Sequence, residues 1–220
     1  MLKTSLRGAP ATSAIAVICT IVFAVVALQS RSLTDVVWAS PVGESTILWG
    51  PLVKDLGYTR VFTSAFLHLD ATHWFLNMFM LVFIGAEVER FVGTGPFTLA
   101  YLAGVTWASA AVLAFNFTTP TAGASGALYM LMAVLIAIAS RRSTDLRAPI
   151  TLIVVNLVYT FMAPAVSLWG HLGGLAAGAV MAWPLTAPNT RIRWLAASVS
   201  LAIGCVAVWV LTLPSTTPVY

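Results

Sequence analysis

Seven apolar stretches constrain this chain more than any other feature: residues 11–28, 73–92, 96–117, 125–140, 148–163, 170–185 and 194–213. A helix needs about 20 residues, usually about 17–25, to cross a hydrocarbon core. The runs are of that order, several a little short. Composition agrees, with 60% of the 220 residues hydrophobic and 8% charged, where a soluble domain carries about 25% charged residues. So few charges cannot clothe a soluble surface, which excludes a soluble enzyme, a disordered chain and a disulfide scaffold. The expected fold class is all-α, a polytopic helical membrane bundle.

The first run follows Lys3 and Arg7, as in a signal peptide. It is longer than an h-region of about 7–15 residues and no Ala-x-Ala site closes it, so a retained span is expected. The net charge of +4 does not indicate nucleic acid, because the basic residues form no aromatic-interleaved patch. They indicate orientation instead. Lys3, Arg7, Arg90, Arg141, Arg142, Arg147, Arg191 and Arg193 fall on one side of a seven-span topology, while Arg31, Lys54 and Arg60 sit in the long first loop, 29–72. The N-terminus is therefore expected in the cytoplasm and the C-terminus outside. The first loop, with Trp38, Trp49 and the run Ile47-Leu48-Trp49, suits either a structured interfacial element or a plain loop with Trp at headgroup depth. Cys19 and Cys205 lie in apolar runs and are read as free thiols packing as small hydrophobes.

Polar groups at membrane depth are costly and mark functional candidates. The chain has three histidines, His68, His73 and His171, to which Asn77 and Ser125 are added. Spans two, four and six enter from the outer side. His73 precedes Glu89 by 16 residues, Ser125 precedes Arg141 by 16, and His171 precedes Pro188 by 17. At 1.5 Å per residue these are about 24–26 Å, against a core of about 30 Å. Three polar side chains thus share one depth, near the outer ends of three helices.

Gly170, Gly174 and Gly178, continued by Ala182, form a small-residue row on span six that permits close approach by span four. Such rows occur with or without a site. Gly123-Ala124-Ser125-Gly126 places a serine where a loop becomes a helix, and the flanking Gly123 and Gly126 allow a tight turn. One reading makes Ser125 a helix cap. The other makes it a nucleophile with His171 as general base, its oxyanion stabilised at the helix start. His73 and Asn77, four apart on one face, are candidate oxyanion donors. A zinc site is the competing use of three histidines, but His-Glu-x-x-His is absent and His68 and His73, five apart, would point to different faces of one helix. No metal or other cofactor is expected.

These residues resemble the rhomboid family of intramembrane serine proteases from about Arg60 to Gly178. The motifs are Arg60, His68 with His73 and Asn77, Glu89 with Gly93, Gly123-x-Ser125-Gly126 with Tyr129, and His171 with Gly174 and Gly178. The family often has Trp before the arginine, where this chain has Thr59. The resemblance implies a six-helix core over 11–185, preceded by a short cytosolic segment 1–10. It implies that 186–220 form a connecting loop, a seventh helix and a tail. It also implies a Ser125–His171 dyad with no acidic third member, His73, Asn77 and the Ser125 N–H as the oxyanion site, and Tyr129 packed on the His171 ring. His68, Arg60 and Glu89 look structural. The function implied is a serine endopeptidase cutting peptide bonds in or near transmembrane segments, close to the outer face, in a bacterial plasma membrane. Its partners are transmembrane protein substrates and the lipid bilayer, not nucleic acid. The alternatives are a non-catalytic relative that binds transmembrane helices, and a transporter, against which no inverted repeat is apparent.

Overall fold

A computed structural model describes residues 7–163 and 166–213. Lys3 and the residues after 213, part of the expected cytosolic segment and tail, lie outside the described residues, as do residues 164 and 165 of the loop between spans five and six. The described residues are helical apart from loops and one isolated antiparallel bridge, Leu48–Thr121.

Each apolar run is a helix. Helix α1 is Pro10–Ser30. Helix α2 is built in three continuous pieces, Ala71–Met80, a π-helical Leu81–Gly85 and Ala86–Val92. Then come α3, Thr94–Phe115, α4, Ser125–Arg141, α5, Arg147–Met162, α6, Leu168–Leu185, and α7, Thr190–Leu211. Three of them, α1, α3 and α7, are long and apolar enough to cross a membrane by length and composition, and α4 and α5 are shorter apolar helices.

Burial sorts the helices. Helix α4 is the core element, with Met130, Leu131 and Val134 fully buried. It packs against α6, α3 and α2, while α6 also packs on α3 and α7. The small-residue row explains how closely α4 and α6 approach. A Cβ on Gly174 would stand 1.8 Å from the Gly126 carbonyl oxygen, and one on Gly178 would stand 2.7 Å from the Met130 carbonyl oxygen. Neither helix could come so near with a side chain there. Helix α5, by contrast, has α4 as its one substantial neighbour. It exposes Val154, Val155, Val158, Phe161 and Met162. Outward-facing apolar side chains on α1 (Ile21, Leu28) and α7 (Leu195, Trp209) continue this belt, which suits lipid and not water.

Two polar clamps hold one end of the bundle. Glu89, buried in α2, accepts from the Ala11 N–H at 2.9 Å and the Thr12 N–H at 2.8 Å. It also accepts from the Thr12 hydroxyl at 2.8 Å and the Thr94 hydroxyl at 2.9 Å. A carboxylate thereby satisfies the orphan donors at the start of α1 and complements its dipole, tying α1, α2 and α3 together. At the same end, Arg141 donates to the Trp183 carbonyl and the Thr186 hydroxyl, and Arg193 donates to the Phe91 and Ala187 carbonyls. Basic residues read for orientation alone thus also close helix C-termini.

The first loop is structured. It contains a helix Pro41–Thr46 and a series of short turns from Gly50 to Phe66. Arg60 closes the Pro41–Thr46 helix by donating to the carbonyls of Glu44 and Ile47, both at 2.8 Å. With Thr59 in place of the family's usual Trp, the arginine still anchors the loop.

Candidate active site

Loop-to-loop hydrogen bonds place the turn before α4. Leu48 and Thr121 exchange backbone bonds of 3.0 and 2.8 Å, the Gly50 N–H donates to the Phe117 carbonyl, and the Gly123 N–H donates to the Ser64 carbonyl at 2.9 Å. The Trp49 indole N–H adds a bond to the Thr118 carbonyl. Gly123 has φ +125°, a conformation that favours glycine. A Cβ there would also lie 2.8 Å from His73 Nε2 and 3.7 Å from Ser125 Oγ. Gly123 is therefore the spacer that lets the His73 ring edge and the Ser125 hydroxyl flank one point.

Ser125 is the first residue of α4, and the cap position belongs to Ala124, with no side-chain capping bond. The capping reading of Ser125 is thus replaced by another contact: Ser125 Oγ lies 2.8 Å from His171 Nε2, across 46 residues of sequence. His171 sits in the first turn of α6, whose start is fixed by Ser167 accepting from the Gly170 N–H. Its ring is sandwiched on one face by Tyr129, centroids 4.2 Å apart at 24°. The histidine Nδ1 is 2.7 Å from Thr160 Oγ1 on α5, and Tyr129 Oη is 2.9 Å from the same oxygen.

Thr160 was not among the residues singled out in the sequence. A threonine in an apolar helix reads as bonding back to its own helix, which it does, to the Asn156 carbonyl at 2.8 Å. Only its burial beside Tyr129 and His171 sets it apart, and the sequence holds no sign of that.

His73 lies in the first turn of α2. Asp70 caps that helix, accepting from the His73 N–H at 2.8 Å. The Leu69 N–H approaches His73 Nδ1 at 3.4 Å. An Nδ1 that accepts leaves the hydrogen on Nε2, the nitrogen facing Gly123. Asn77, buried below, donates Nδ2–H to the His73 carbonyl at 2.8 Å, while its Oδ1 has no partner. His73 borders the cavity beside Ser125; Asn77 does not. His68 precedes the helix and does not share it with His73; the two rings meet edge to face with centroids 5.3 Å apart. Burial, and secondarily the neighbouring His73, push the His68 pKa down to about 3, so this ring is neutral. Among the described residues, no three His, Cys, Asp or Glu side chains gather as a metal ion requires.

The cavity has a volume of about 210 Å³ and is bordered by Leu69, His73, Thr121, Ser125, Ser167 and Trp169, among others. A single water needs about 10–15 Å³ by such a measure, so the cavity has room for water beside the serine. A second cavity of about 30 Å³, with Ser64, Ser109 and Ser167 in its wall, also borders Ser125.

A hydroxyl bonded to an imidazole nitrogen, at a helix start and beside a cavity that admits water, can perform nucleophilic acyl transfer. The chain is similar to known proteins of one family. The family model of the rhomboid domain matches residues 56–188. The chain is 34% identical over 143 residues to rhomboid protease GluP of Bacillus subtilis (strain 168), covering 63% of this chain and 28% of that protein. It is 31% identical over 126 residues to RHOMBOID-like protein 1 of Arabidopsis thaliana, covering 54% and 32%. It is 30% identical over 138 residues to Rhomboid-like protease 1 of Toxoplasma gondii, covering 58% and 47%. The match spans less than half the length of each of these relatives. With a polytopic all-helical bundle and a family model matched from 56 to 188, this chain is a membrane protein belonging to the rhomboid family.

Proposed function

We propose that this protein is an intramembrane serine endopeptidase that hydrolyses peptide bonds in or near transmembrane segments of membrane proteins. The observation that carries the reading is the 2.8 Å contact between Ser125 Oγ and His171 Nε2, opening onto the cavity. Ser125 Oγ attacks the scissile carbonyl carbon while its proton passes to His171 Nε2. The oxyanion that forms takes hydrogen bonds from His73 Nε2–H, the Ser125 N–H and, once a substrate draws it in, the second amide hydrogen of Asn77. Collapse breaks the C–N bond, and His171 hands its proton to the leaving amine. Water, deprotonated by His171, then hydrolyses the Ser125 ester and restores the hydroxyl. Tyr129 holds the imidazole plane, Gly123 keeps the approach clear, and Gly126, whose Cβ would stand 2.4 Å from the Ala108 Cβ, lets α3 pack beside the serine.

The substrates are single-pass or other transmembrane proteins, and the bilayer is the second partner. The basic residues support an orientation with the N-terminus in the cytoplasm, the C-terminus outside and the site near the outer face. A bacterial plasma membrane suits that arrangement. A substrate helix must unwind before attack, so helix-breaking residues near the cut are expected.

The test is cleavage of a single-pass model substrate in proteoliposomes by wild type, Ser125→Ala and His171→Ala. Loss of cleavage in both variants is expected; cleavage that survives either one overturns the dyad. Binding of the substrate without cleavage by wild type would favour a non-catalytic relative that holds transmembrane helices. Fluorophosphonate labelling of Ser125, lost in His171→Ala, tests activation of the serine without a substrate.

A further inference from the structure

Thr160 Oγ1 stands within hydrogen-bonding distance of three groups: the Asn156 carbonyl at 2.8 Å, Tyr129 Oη at 2.9 Å and His171 Nδ1 at 2.7 Å. A hydroxyl has one hydrogen and two lone pairs. The carbonyl can only accept, so the Thr160 hydrogen goes to Asn156. Both other contacts must then be donations into the lone pairs of Thr160, from the Tyr129 O–H and from an Nδ1–H on His171. A neutral imidazole carries one N–H. With that hydrogen on Nδ1, Nε2 presents its lone pair to Ser125 Oγ at 2.8 Å and accepts the serine proton. The opposite tautomer would set the bare Nδ1 against Thr160. Thr160 would then have to turn its hydrogen away from Asn156, leaving two oxygens 2.8 Å apart with none between them. The Tyr129–Thr160 and Thr160–His171 contacts are buried, where an unmatched polar contact is most costly.

We propose that Thr160 is the positioning residue of the dyad: it fixes His171 in the Nδ1–H tautomer and holds the ring in line with Ser125, standing where an Asp stands in a serine triad. The inference rests on the Ser125–His171 reading above. Thr160 is carried by α5, whose buried side chains are Pro149, Ile153 and Thr160 and whose main neighbour is α4. It is thus the one polar group that this helix buries at the site. Activation of Ser125 depends on α5 being seated, since an outward shift of its last turn withdraws the acceptor from Nδ1.

Two variants and one spectrum test this. Thr160→Val keeps the shape and removes the hydroxyl; Thr160→Ser keeps the hydroxyl. In a triad with a carboxylate third member, loss of the correct tautomer lowers kcat about 10⁴-fold. For a neutral acceptor we expect kcat to fall by about tenfold or more in Thr160→Val, with KM within about twofold, and Thr160→Ser to stay within about threefold of wild type. The ¹⁵N spectrum of histidine-labelled wild type, assigned with His171→Ala, is expected to show a protonated Nδ1 and a bare Nε2, and Thr160→Val a shift toward the other tautomer. A wild-type spectrum with the hydrogen on Nε2, or unchanged turnover in Thr160→Val, overturns the proposal. The spectrum is read on folded wild-type protein, so a misfolded variant does not blunt it. Cleavage that survives Ser125→Ala sinks the protease reading, whereas the spectrum reports on Thr160 independently.

Discussion

Gly174 and Gly126 meet backbone to backbone: a Cβ on Gly174 would lie 1.8 Å from the Gly126 carbonyl oxygen and 2.6 Å from its carbonyl carbon. Gly126 follows Ser125, and Gly174 lies three residues after His171, so this contact sets the distance between the two side chains. Gly174→Ala must push α4 and α6 apart. Overpacking of this kind costs about 1–3 kcal/mol, and a misplacement of about 1 Å at a reacting pair costs about 10²-fold in rate. Gly170 belongs to the same row, yet its Cβ would meet only Ser167 Oγ at 3.2 Å, Ser167 Cβ at 3.5 Å and a Val112 methyl at 3.6 Å. Cleavage of a model substrate is therefore expected to fall about 100-fold in Gly174→Ala and by much less in Gly170→Ala.

Glu89→Gln leaves the site untouched and weakens the bundle. Each carboxylate oxygen accepts two hydrogen bonds, Oε2 from Thr12 and Oε1 from Ala11 and Thr94. An amide turns an NH₂ group toward one of those donor pairs. A buried unmatched donor costs about 1–3 kcal/mol, so thermal unfolding in detergent is expected at a lower temperature. Under the proposed activity, the protein that remains folded should keep its turnover number.

Arg60→Ala frees the C-terminal end of Pro41–Thr46 and slackens the loop that pairs with the turn before Ser125. Loss of the charged donor is expected to cost about 1.5–3 kcal/mol. Limited proteolysis should then cut between residues 41 and 60 faster than in wild type. Both bonds come from Arg60 Nη1, so Arg60→Lys, a flexible and more strongly hydrated ammonium, should restore part of the protection.

Stability should depend on pH through His68, which lies before α2. Its pKa in the folded protein is lowered to about 3, burial being the larger cause and His73 the smaller. An unfolded histidine titrates near about 6.5, so between those values the unfolded chain binds the extra proton. Stability is then fully present above about pH 6.5 and is lost as the pH falls toward 3. The unfolding midpoint of wild type should drop through this window, and that of His68→Phe should drop less steeply.

The helices were legible because apolar run length is a direct physical requirement of a membrane, and every run became a helix within a few residues of its expected ends. The approach of Ser125 to His171 was legible in part: equal depth on spans four and six and a row of glycines permit it, and the resemblance to the rhomboid family selects it. Single residues misled where local rules compete. Ser125 has the residue type of a helix cap, yet Ala124 takes that position and the hydroxyl turns to His171. The five-residue spacing of His68 and His73 reads as two faces of one helix, but Asp70 caps α2 after His68, which stays in the first loop. Thr160 was not legible at all. Its hydrogen bond to Asn156 is what any helical threonine makes, and its two other partners come from α4 and α6.

Ser125 and His171 stand on different helices, 46 residues apart in the chain. A ribosome adding about 5–20 residues per second needs roughly 2–9 s to pass from one to the other. Under the proposed dyad, Ser125 spends that interval in the membrane with no imidazole beside it. The nascent chain is then an inert serine in a half-built bundle, and activity begins only when the sixth helix slides in against the fourth.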